Sequence, residues 1–158
     1  MTRIYRKGPI GALMDELERA AVELIQLFER IPQDQYQQIL DANTKDENCR
    51  SIQTIVSHVV SAGYGYANYI RPEFLLSAVP YVKRLLSYDE AVPKIREMLQ
   101  FTADTLEGKW EMSDEEIQSV NVLSRWGSRY DLEQLLEHAI VHILRHRRQI
   151  ERLLTHPS

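Results

Sequence analysis

Apolar residues recur at three- and four-residue intervals through much of this chain, and polar stretches separate the recurrences. Between Ile10 and Ile31 the apolar set includes Leu13, Leu17, Ala20, Leu24, Leu27 and Phe28, with Arg19, Glu23 and Arg30 between them. That spacing predicts an amphipathic helix, because positions three and four apart share a face. Ile31-Pro32 closes it, since proline disfavours the α region for the residue before it. Residues 32–40 read as a short helix and residues 41–50 as a polar connection. Ser51 is placed to N-cap a second helix over 51–70, whose apolar positions Ile52, Ile55, Val59, Ala62, Tyr66 and Ile70 again have helical period.

Arg71-Pro72 breaks that helix, and residues 73–86 read as irregular or as a short helix. Ser87 with Glu90 is a capping box opening a third helix to about Trp110, with Pro93 in its second turn. Residues 111–120 read as a polar connection, and residues 121–130 as extended or hairpin-like around Trp126-Gly127. Asp131 with Gln134 opens a last helix, Leu132 to Leu154. Four long helices and no strand-rich region predict an all-α, up-down four-helix bundle.

Composition adds limits. A chain of 158 residues, 44% hydrophobic and 27% charged, fits one soluble domain over 1–158 that builds its core without staples. The net charge of -4 argues against a nucleic-acid module, whose footprint is basic. No apolar run reaches the roughly 18–20 residues that span a bilayer, and the basic start has no export core after it. The lone Cys49 can form no internal disulfide, which fits a reducing, cytoplasmic setting.

The candidate chemistry is in the histidines. His138, His142 and His146 recur every four residues in the last helix, and His58 sits on the apolar side of the second. Leu135, Ala139, His142, His146, Gln149 and Leu153 share one face, with His138 at its edge. Paired imidazoles at i and i+4 suit a first-row metal, and His58 is the natural further donor. Isolated core histidines bonded to backbone or water are the competing reading.

The helix that starts Ser-Ile and bears His in VSHVV, followed by a last helix reading HAIVHILRHRRQI, resembles the DinB-like (YfiT-like) superfamily. The likeness covers nearly the whole chain. It implies a four-helix bundle with a metal held by one histidine of the second helix and two of the last, here His58, His142 and His146. His138 becomes a supporting or alternative ligand. Gln149 either orients a ligand or packs against the first helix. Where the family commonly has glycine, this chain has Arg148, which alters the surface beside the site. The resemblance also implies a homodimer and a divalent ion, zinc or nickel ahead of iron, manganese or copper.

Three neutral ligands leave an ion's charge uncompensated and a coordination position open. The implied function is a metal-dependent enzyme, either a transferase using a low-molecular-weight thiol or a hydrolase acting on a small molecule. The alternative is a non-catalytic, metal-stabilised, stress-related interaction or sensor protein. Ile143 stands where a zincin's general-base glutamate would be, which excludes that protease type. No catalytic residue is assigned. Tyr66 points nearest the core and reads as packing, with a hydroxyl that could reach the pocket. Arg145, Arg148 and Arg152 read as a solvated basic face near a helix C-terminus. Cys49, beside Asp46 and Glu47, is a poor thiolate, and His156 reads as an exposed tail residue.

Overall fold

A computed structural model describes residues 4–156; residues 1–3, part of the basic start, and 157–158 lie outside the described residues. The elements are helices α1 (Gly8–Phe28), α2 (Ile52–Ile70), α3 (Tyr88–Leu106), α4 (Asp114–Ser119) and α5 (Leu132–Thr155). A two-stranded ribbon, β1 (Val122–Leu123) and β2 (Arg129–Tyr130), precedes α5. The protein is thus mostly helical, with α1 packed on α5 and α3, and α2 packed on α3 and α5. Among the described residues, no helix is long and apolar enough to cross a membrane.

The apolar stripes meet in one core. Ile10, Met14 and Leu24 of α1, Ile52 and Ile55 of α2, Ile95 of α3, and Leu135 and Ile150 of α5 are wholly buried. Each such side chain contributes about 1.5–3 kcal/mol on leaving water. Three of the long helices start at a capping box. Ser51 with Thr54, Ser87 with Glu90 and Asp131 with Gln134 each satisfy two orphan N–H groups reciprocally.

Helix α1 begins differently. Lys7 offers no side-chain cap, and the N–H groups of Ile10 and Gly11 instead donate to the Trp110 carbonyl oxygen at 3.2 and 3.3 Å. Gly8 makes that approach possible. Its φ is +72°, and a Cβ there would lie 2.3 Å from the Trp110 oxygen. Arg6 secures the same end, its backbone N–H and guanidinium donating to buried Asp15 at 3.0 and 2.6 Å.

Several boundaries differ from those the sequence predicts. α1 ends at Phe28, and the chain reaches Ile31 through tight turns, Arg30 N–H to Leu27 and Ile31 N–H to Phe28. Residues 32–40 hold only a 3₁₀ turn, Gln33–Gln35. α3 stops at Leu106 rather than near Trp110, because Gly108 turns the chain at φ +77°. Residues 114–119 form α4, which a connection read by polarity alone conceals. Its single apolar anchor, Ile117, is buried, and Ser113 with Glu116 caps it. Residues 121–130 form the hairpin, with Val122 opposite Tyr130 and Leu123 opposite Arg129. Beyond a 3₁₀ turn at Arg71–Phe74, the segment up to Ser87 has no regular structure. It is held to α2 by Leu86, whose N–H donates to Ser57 Oγ at 3.0 Å and whose carbonyl accepts from Tyr36 and Gln53.

Candidate metal centre

The two capped helices α2 and α5 bring His58, His142 and His146 together. One ring nitrogen of each lies within 4.8 Å of the others. His58 Nε2 and His142 Nε2 are 3.0 Å apart, and the ring centres are separated by 4.9, 5.1 and 4.5 Å. All three rings are half-buried.

Gln149 completes this arrangement one turn along α5. Its amide oxygen accepts from His146 Nδ1 at 2.9 Å. An amide oxygen only accepts, so Nδ1 carries the ring proton and Nε2 keeps its lone pair. The same oxygen accepts from the Cys49 thiol, with sulfur 3.7 Å away. The thiol also meets Asp46 Oδ2 at 3.5 Å.

Burial is the main cause of the electrostatics here. It pushes His58 down to about 4 and His142 down to about 3, and the neighbouring imidazoles and Arg145 add to the effect on His142. His146 is also lowered by burial, with the Gln149 bond opposing. At neutral pH the cluster is therefore uncharged, the form in which imidazole binds metals. Burial raises the Cys49 thiol above its ordinary value, and Asp46 adds to it, so Cys49 stays protonated.

His138 is not part of the cluster. Its ring stacks on Trp126 at 5.4 Å, meets Tyr66 edge-on and meets Tyr130 at a tilt. Tyr66 is buried, packed edge-on against His142 as well as His138. Ile143 is buried in the core, so the position between the two α5 histidines presents no base.

All three clustered histidines line a cleft of about 410 Å³ that also contains Asp46, Cys49, Gln149, Arg145, Arg148 and Arg152. The three arginines are exposed, as a polar helix face requires, yet they also form the wall of this cleft. Among the described residues none of them has an ion-pair partner. Periodicity identifies that face but not what it borders. Cys49 likewise carries no sequence signal for its position, since it meets Gln149 from 100 residues away through the 3₁₀ turn Glu47–Cys49.

No curated protein and no solved structure matches the chain. The family model of the DinB family matches residues 5–156, spanning both histidine-bearing helices and everything between them. The chain belongs to the DinB family.

Proposed function

We propose that His58, His142 and His146 hold one divalent metal ion, and that the protein is a metal-dependent transferase acting on a small anionic thiol. The observation that carries this is the convergence of three neutral ring nitrogens within 4.8 Å. The donor set fits an ion. Ligands about 2.0–2.1 Å from a tetrahedral zinc lie roughly 3.3 Å from one another, close to the 3.0 Å between His58 and His142. Gln149 fixes the His146 tautomer, as outer partners of metal-binding histidines do. Zinc and nickel are the ions proposed first; imidazole suits iron and copper as well, and manganese is a further candidate.

A bound divalent ion acts as a Lewis acid, stabilising the anionic form of a thiol or water at neutral pH. The rest is done by the chain. Arg145, Arg148 and Arg152 leave the cleft with three cations against the single carboxylate Asp46, which favours an anionic molecule. Asp46 is already engaged by Asn48 and Cys49, and Ile143 offers no proton acceptor. Transfer of a thiol, whose anion is itself the nucleophile, needs less of the protein than hydrolysis, which calls for a base beside the water. The four long helices form an up-down bundle in this reading, as one domain. Exposed Val22 on α1 and Val141 on α5 provide apolar surface for a homodimer.

Cobalt substitution tests the open position. A small carboxylate-bearing thiol should add a sulfur-to-cobalt charge-transfer band, and Arg148→Ala should weaken its binding. A visible spectrum unmoved by any thiol would remove the transferase reading and leave a metal-stabilised, non-catalytic protein.

A further inference from the structure

A second cleft, about 800 Å³, opens on the other side of His58. It is within the size range of small-molecule sites. Its walls are aromatic: Tyr66, Tyr69, Tyr81 and Trp126 line it, with His138 stacked on Trp126. Two cations, Lys83 and Arg125, are the charged groups of its lining, and no carboxylate is among them. Lys83 reaches Asn48, whereas the Arg125 guanidinium has no ion-pair partner among the described residues.

The walls are tied to α2 by hydrogen bonds and ring stacking. Tyr81 belongs to the irregular segment before α3, and that segment is tied down at Asn68, which exchanges two 2.8 Å hydrogen bonds with the Val79 backbone. Tyr81 itself stacks on Tyr64 with ring centres 4.3 Å apart and planes 6° from parallel. The opposite wall is the hairpin, held by the Arg125 N–H donating to Tyr69 Oη at 2.9 Å. Between the walls, Gly65 contributes the missing side chain. It sits inside α2, where glycine is less favourable than alanine, yet a Cβ there would meet nothing within 4 Å. No packing demand explains that glycine; the open volume in front of it does.

We infer that this cleft, which adjoins the histidine cluster at His58, is a second ligand site distinct from the arginine-walled cleft, and that it takes a planar aromatic anion. The ring stacks among the tyrosines and Trp126, as offset and edge-on aromatic pairs do. The anionic group faces Arg125 and Lys83, the charged side chains of the lining among the described residues. The inference stands on the cleft alone and requires neither a metal nor turnover.

Calorimetric titration of the full chain with 2-naphthoate tests it, with 2-naphthamide and cyclohexanecarboxylate as probes lacking the charge or the planar ring. One equivalent of 2-naphthoate should bind with Kd of about 1 mM or tighter, and both comparison probes should bind at least several-fold more weakly. Gly65→Leu puts a side chain into the cleft from a Cβ position that meets nothing within 4 Å, and should weaken 2-naphthoate at least tenfold. Arg125→Gln should weaken 2-naphthoate about tenfold and leave 2-naphthamide unchanged, a readout that survives even if Gly65→Leu folds poorly. Arg148→Gln, in the other cleft, should have no effect. Absence of binding, indifference to Arg125→Gln, or loss on Arg148→Gln instead would overturn the inference.

Discussion

Gln149 decides how His146 presents itself, because the 2.9 Å bond to its amide oxygen leaves Nε2 as the free donor atom. Gln149→Ala should therefore weaken metal binding about 10–100-fold while keeping the fold, as loss of such partners does elsewhere. Competition with a chromophoric chelator measures it, and unchanged affinity would remove Gln149 from the site. The imidazoles also make a pH prediction. In the unfolded chain they titrate near 6.5, whereas in the fold burial holds His58 at about 4 and His142 at about 3. Between those values and 6.5 the unfolded chain binds protons that the folded chain refuses. Stability of the metal-free protein thus holds above about pH 7 and falls as pH drops from 6.5 toward 4. Urea midpoints across that range should fall more steeply for wild type than for His142→Gln, and parallel curves would contradict the assignment. At this scale the sequence identifies His142 and His146 through their four-residue spacing and His58 through its place on an apolar helix face. It marks Cys49 as a poor thiolate beside Asp46 but is silent on its contact with Gln149, which depends on a turn no periodicity marks.

Among the elements, the start of α1 is the most exposed to a single change. Its first N–H groups depend on the Trp110 carbonyl, which approaches only because residue 8 lacks a side chain. Gly8→Ala should cost about 2 kcal/mol or more, from the positive φ and the clash with Trp110 together. Thermal denaturation reads it, and a Tm within error of wild type would show that the chain can rebuild this end. The long helices are legible in advance, since their capping residues and apolar stripes are local signals that agree with the packing. Helix α4 is concealed because Ile117 is its only buried apolar residue, although Ser113 and Glu116 spell out a cap. The end of α3 depends on Gly108, a turn signal that outweighs the apolar pattern continuing to Trp110.

For the molecule as a whole, the consequential contact joins His58 to His142 across 84 residues, tying α2 to α5. Helical periodicity puts both on apolar faces but cannot say that those faces meet; the family likeness supplies that expectation, and the packing of α2 on α5 provides it. The two clefts flanking His58 are not legible as clefts, because their walls join faces of α2 and α5 to the turn at Glu47–Cys49, the segment before α3 and the hairpin, which no periodicity brings together. A metal between α2 and α5 would tie these elements together and turn their shared seam into a reactive centre. The direct test is elemental analysis of untagged protein prepared without chelators, comparing wild type with His58→Ala and His142→Ala. The account predicts close to one metal ion per wild-type chain and near-complete loss in both folded variants. A wild type that stays metal-free even after reconstitution, beside variants that remain folded, would contradict it and return the three histidines to core packing.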